Sequence, residues 1–240
     1  MRGLTGGLGC AVAHSSKIKN IADKVAVSEN IEVLKKWPGS GSLPADKTPS
    51  ILSYDPNDST KVLAWGHSVT PAHKVQYANF KYLLVPPNEL ESKDRKWELS
   101  TATGATLPEG KTAQDLCVDY LRQVRGYVQG VLENTYGERF LANQDAIYVF
   151  TVPAGWSDRS KALILNIAEE AGFKGSVNLV SESEAAAIYC ATLCDEGELR
   201  VGSKFLGIKS PSSNSPLPIN LRLLRLTLVQ SVTRAAEPSI

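Results

Sequence analysis

The spacing of apolar residues divides the chain into segments with different expected structures. From Ala113 to Tyr136 apolar side chains recur at three- and four-residue steps through Leu116, Cys117, Tyr120, Leu121, Val124, Tyr127, Val128, Val131 and Leu132. Asp119, Arg122, Arg125, Gln129 and Glu133 fall on the other side. That period predicts one long amphipathic helix. Thr112 and Asp115 open it as an acidic variant of the capping box. Burying each large apolar residue contributes roughly 1.5–3 kcal/mol, so the helix is expected to pack on a sheet.

Residues 145–194 follow a different rhythm. Ala146–Val152 is short, β-branched and aromatic, which predicts a buried strand stopped by Pro153-Ala154-Gly155. Ser157 is placed to cap a helix over Asp158–Ala171, with Gly172 just beyond its end. Val177–Val180 predicts a second strand, and Ser181 with Glu184 forms a capping box before Ala185–Leu193. Such a β-α-β-α order requires parallel strands joined by a crossover, and ligands of such sheets sit beyond the strands' carboxyl ends. That edge carries Pro153 and Glu182.

The remaining pattern is weaker. Ile31–Trp37, Ser50–Tyr54 and Val62–Trp65 are expected strands, the last two joined through the turn Asp55-Pro56-Asn57-Asp58. Ala72–Leu84 is expected to be a helix ended by Pro86-Pro87, and 86–110 an exposed connector. Residues 1–27 are glycine-rich with no strand before them and no Gly-Lys-Ser/Thr after them, so they are expected to be a disordered leader. Ser210–Pro218 is a serine- and proline-rich breaker. Ile219–Val229 beyond it is leucine-rich, compatible with one strand or a short amphipathic helix.

Composition narrows the class. The 240 residues carry a net charge of +1, with 42% hydrophobic and 21% charged residues, ordinary values for a globular chain. No whole-chain electrostatic case exists for nucleic acid or a membrane surface. The short apolar run Leu8–Ala13 is thinner than a signal-peptide core, and the cysteines lack a disulfide framework or zinc spacing. A cytoplasmic protein with reduced thiols is the expectation.

The segment TVPAGWSDRSKALILNIAEEAGF followed by LVSESEAAAIY resembles the ATPase domain of the 70-kDa heat-shock chaperones, and more closely their divergent relatives in filamentous fungi. The resemblance spans roughly 28–202, leaving 1–27 as a leader and 203–240 as an unrelated tail. It implies an α/β fold: a partial actin-like/ribonuclease-H-like ATPase lobe, a mixed sheet with flanking helices. It also implies ATP and Mg²⁺ as cofactors, and polypeptide clients or co-chaperones as partners. Glu182 matches the glutamate near the family's magnesium-bound nucleotide, although Ser181 and Ser183 replace the asparagine and proline beside it. As a plain acidic residue it would equally suit a helix's first turn. Pro153 matches the family's relay proline and also serves as a strand terminator. With Trp65-Gly66 aligned on the family's strand, the catalytic lysine falls near Thr70, which is not a lysine; Lys81, in a Phe-Lys pair, or Lys74 would substitute for it, and either equally suits a solvated helix charge. No metal ligand set is expected from the protein, and Ser157 is better spent as a cap than as a nucleophile.

Both of the family's phosphate-gripping glycine hairpins are missing from the sequence: MRGLTGGLGCAVAHSSKIKN stands where Asp-Phe-Gly-Thr-Thr belongs, and nothing like Asp-x-Gly-Gly-Gly-Thr follows Gly202. Phosphoryl transfer depends on positioning and electrostatics, so ATP binding and hydrolysis are expected to be impaired. A non-enzymatic interaction module or decoy, exposing apolar faces such as that of 112–136, is the alternative. A misassembled gene model would also account for the abrupt ends of the resemblance.

Overall fold

The structure is a computed structural model describing residues 7–14, 31–42, 44–84, 100–101, 107–142, 145–193 and 223–231. The long helix predicted from the apolar period is present as α1 (Ala113–Tyr136). The Thr112 hydroxyl accepts from the Asp115 amide at 3.2 Å, and the Asp115 carboxylate accepts from the Thr112 amide at 2.7 Å. Two otherwise orphaned amides are thereby satisfied. Gly137, at φ +84, ends the helix by donating its N–H to the Glu133 carbonyl at 2.8 Å. Leu116 and Val124 are wholly buried, and α1 touches both sheets' neighbours: the short α2 (Glu138–Leu141), α3 (Asp158–Glu170), and strands β4 (Ile51–Asp55) and β5 (Asp58–Trp65).

One polar position on α1 departs from the expectation. Asp119 is buried. Its carboxylate accepts from the Tyr54 hydroxyl at 2.8 Å and from Arg122 at 3.1 Å, and it pairs with Lys111, whose ammonium lies 5.0 Å from the centre of the Tyr54 ring. A buried carboxylate is tolerable only with several donors around it, and the period of the sequence carries no sign of them.

The smaller sheet has the order β5-β4-β6-β7, all antiparallel, with β6 at Gln76–Ala78 and β7 at Ser100–Thr101. Here the expected helix Ala72–Leu84 is overturned. Its first part is β6 and its last a 3-10 helix, Phe80–Leu84. Asn79 between them takes φ +60, a left-handed conformation that interrupts any helical run and that asparagine tolerates. Five consecutive residues, Tyr77 to Lys81, are buried, which is no amphipathic stripe.

The larger sheet has the order β2-β1-β10-β8-β9, with β3 (Thr48–Pro49) also on β1. It is mixed, as expected. Strand β8 (Asp145–Val152) runs parallel to β9 (Ser176–Ser181), with Tyr148 opposite Val177 and Phe150 opposite Leu179. Helix α3 makes the crossover. Ser157 caps it by accepting from the Ser160 amide at 3.3 Å, and Gly172 follows it at φ +90. Phe173 then packs edge-on against Tyr148 and Phe150 at 5.0 and 5.2 Å. Helix α4 is Glu182–Leu193.

One expectation about the ends is corrected. The leader expected to be disordered contains β1 (Gly7–His14), whose alternating Leu8, Cys10 and Val12 are buried. The rest of 1–27 lies outside the described residues. In the tail, where the sequence of Ile219–Val229 is compatible with one strand or a short helix, the strand is present as β10 (Leu223–Ser231), inserted between β1 and β8, antiparallel to the first and parallel to the second. The period-2 pattern of β1 was masked by its glycines, which carry no side chain and read as linker. Ile31–Trp37 is a strand only over β2 (Ile31–Val33). Most of the expected connector 86–110 lies outside the described residues.

Two glycines give opposite tests of this fold. Gly66 has φ +58, and an added Cβ would stand 2.2 Å from the Thr48 Oγ1. Gly126 is in the middle of α1 with nothing within 4 Å of such a Cβ. Gly66→Ala should lower unfolding stability by about 1–3 kcal/mol. Gly126→Ala should raise it by about 0.5–1 kcal/mol. Urea midpoints of the two variants check both signs, and a neutral Gly66→Ala would contradict the turn conformation.

Candidate functional site

The carboxyl ends of β8 and β9 lie side by side, Val152 opposite Ser181. The residues that follow them, Pro153 and Glu182, therefore emerge at one edge of the larger sheet. The 3-10 helix Phe80–Leu84 approaches that edge from the smaller sheet and brings Lys81 with it. These elements and α1 enclose a cavity of about 40 Å³ lined by Lys81, Pro153 and Glu182 among largely apolar neighbours. The space admits about three waters.

All three residues singled out from the sequence thus meet at one place, although they come from separate segments and two different sheets. Lys74, the other candidate lysine, is exposed and does not line the cavity. Ser157 is occupied as the α3 cap. Residues that the sequence did not single out complete the walls: Cys117 and Tyr120 from the buried face of α1, Thr151 at the end of β8, and Trp156 from the turn after Pro153. Their apolar period and turn position identified structural elements but gave no indication that the elements converge.

The electrostatics of the cavity are set by its dryness. Lys81 is 5% exposed, and burial pushes its ammonium below the ordinary lysine range, with Glu182 opposing the shift. Burial likewise raises the carboxyl of the half-buried Glu182, with Lys81 and Lys47 pulling it back down. One Glu182 oxygen, Oε1, is fully shielded from solvent and has no hydrogen-bond partner among the described residues. Such an oxygen is costly unless something donates to it. The local cap explains why Glu182 is held there: Ser181 Oγ accepts from the Glu184 amide at 3.1 Å and fixes the first turn of α4. Burial also raises the Cys117 thiol, with Lys81 opposing, so it is no activated nucleophile.

A cation and a carboxylate facing a small cavity suit an anionic group accompanied by ordered water. Lys81 supplies donors and Glu182 an acceptor. Among the described residues no group of three His, Cys, Asp or Glu side chains is placed to hold a metal directly, so a cation here would depend on its ligand and on water. Among the same residues no helix is long and apolar enough to cross a membrane. No known family model matches the chain, and none of the curated proteins compared with it is similar.

The raised carboxyl has a consequence for stability. Glu182 has a folded-state pKa above its ordinary value of 4.5, so its favourable contribution is complete at more acidic pH and is lost as pH rises through the elevated value. Glu182→Gln removes that titration. From about pH 4 to pH 8, the urea midpoint of the unmodified chain should fall relative to that of Glu182→Gln. Parallel pH profiles would show that the carboxyl is solvated as usual.

Proposed function

We propose that this chain is a partial lobe of a heat-shock-70-like ATPase, ATP-binding in type, with nucleotide binding and hydrolysis impaired. The observation that supports it is the meeting of Lys81, Pro153 and Glu182 at one cavity on the carboxyl edge of parallel strands. The strand order already put Pro153 and Glu182 on one edge, and the resemblance added a role for each and a lysine beside them, which Lys81 supplies from a distant segment. In this reading Lys81 contacts a phosphoryl oxygen of ATP. The Glu182 carboxylate would be the acceptor for a water brought in with Mg²⁺, which would satisfy its orphaned oxygen. Bound Mg²⁺–ATP would supply the electrophilic phosphorus and the charge neutralisation that phosphoryl transfer needs. The protein's own part is to hold a cation and an acceptor in a dry setting, where each acts more strongly than in water.

Impairment follows from what surrounds the pair. The sequence lacks both glycine hairpins whose backbone amides would wrap the phosphates, and the enclosed space is too small for a triphosphate. The interaction-module alternative is weaker. It required the face of residues 112–136 to be exposed, and α1 spends that face on the core.

Titration of the purified chain with Mg²⁺–ATP, followed by calorimetry and by intrinsic tryptophan fluorescence, tests the proposal. Binding should be marginal, at about millimolar Kd or weaker, and Lys81→Ala and Glu182→Gln should each abolish it. Submicromolar affinity would overturn the impairment. Marginal binding that survives both substitutions would overturn the site.

A further inference from the structure

We propose that Trp156 is the gate of this cavity: its indole closes the mouth, and a ligand reaches Lys81 and Glu182 only when the Pro153–Ser157 turn swings outward. The inference takes the cavity to be the ligand site of the preceding reading, but it does not depend on the ligand being a nucleotide.

The closure is visible in the burial of the lining. Eleven of the fifteen side chains around the cavity are buried, and only Pro153, Trp156, Ile164 and Glu182 are partly exposed. These four are where the lining reaches solvent, and Trp156 is the largest of them. With room for about three waters inside, no phosphate ester or organic ligand contacts both Lys81 and Glu182 unless a wall moves.

The cost of moving each wall decides which one yields. The floor belongs to α1, β1 and β8, whose buried side chains would lose roughly 1.5–3 kcal/mol each on exposure. Ile164 is inside α3 and Glu182 is fixed in the capped first turn of α4. The turn is different. A single backbone hydrogen bond closes it, from the Trp156 amide to the Pro153 carbonyl at 3.2 Å. Ala154 and Gly155 are exposed, and nothing lies within 4 Å of a Cβ added at Gly155. Among the described residues no hydrogen bond holds the indole N–H, so packing alone keeps the ring in place. Ser157, held as the α3 cap, bounds the motion and leaves the helix undisturbed. Few contacts and exposed backbone are the physical marks of a segment that opens locally.

Cys117 in the cavity wall serves as an internal reporter, and Cys10, equally buried on β1 but away from the cavity, is its control. The full chain and its Trp156→Ala and Trp156→Phe variants are treated with methyl methanethiosulfonate, and labelling at each cysteine is timed by peptide mass spectrometry. Removing the indole should speed labelling of Cys117 by about tenfold or more, with the phenyl ring giving an intermediate rate and Cys10 unchanged. A rise of equal size at Cys10 in both variants would mean general loosening and would overturn the gate, as would an unchanged Cys117 rate. No nucleotide is present, so a chain that fails to bind ATP still gives a decisive answer about Trp156.

Discussion

Burial of one face of α1 is the constraint on which the rest of the structure depends. The helix supplies the wholly buried Leu116 and Val124, and its polar atoms tie it to what lies on either side. Tyr120 donates its hydroxyl to the Pro49 carbonyl at 3.0 Å, Tyr127 donates to the Lys36 carbonyl at 2.7 Å, and Arg122 donates to the Glu170 carbonyl at 3.3 Å. Those partners lie in β3, in the loop after β2 and at the end of α3. Around the same helix Trp37, Trp65, Tyr127, Tyr120 and Phe80 form a chain of rings with centroids 5.7 to 6.4 Å apart, mostly edge to face. Each such contact adds to area burial, and together they set where the 3-10 helix carrying Lys81 comes to rest.

That placement explains how a lysine can be nearly solvent-free beside a half-buried glutamate. Neither charge is comfortable alone, and burial shifts each toward its neutral form. Each opposes the other's shift, so the pair is held by mutual compensation and not by stabilisation of either member. Groups whose charge equilibria are shifted by burial and a charged neighbour are concentrated at functional sites, although structural ion pairs show the same shifts. The Asp119 cluster is the instructive contrast within the same molecule. Its carboxylate is also buried, but Tyr54, Lys111 and Arg122 satisfy it, and it acts as a joint between β4 and α1.

Much of this was legible in the sequence where local signals and burial agreed. The capping box at Thr112, the proline after β8, the Ser157 cap and the parallel pair around Tyr148 follow from spacing and turn chemistry alone. The failures occurred where a long-range partner decided the outcome. Ala72–Leu84 has helical spacing, but pairing of Gln76–Ala78 with β4 and the left-handed Asn79 override it. Gly7–His14 reads as linker until a neighbour on each side supplies its ladder. The candidate site was legible as three residues and illegible as a cavity, since Cys117 and Trp156 carry no chemical pattern until the fold brings them together.

The position of β10 has a consequence for how the molecule is made. Gly7 is registered against Ser231, so the middle of the larger sheet is contributed by residues translated more than two hundred positions after its neighbour. During synthesis β1 and β8 leave the ribosome with open edges facing a gap that nothing yet fills. Pairings of such long sequence separation are slow to form and leave sticky edges exposed in the interim. A nascent chain of this design spends its vulnerable period waiting for β10, so interruption of translation before that point leaves the two halves of the sheet without the strand that joins them.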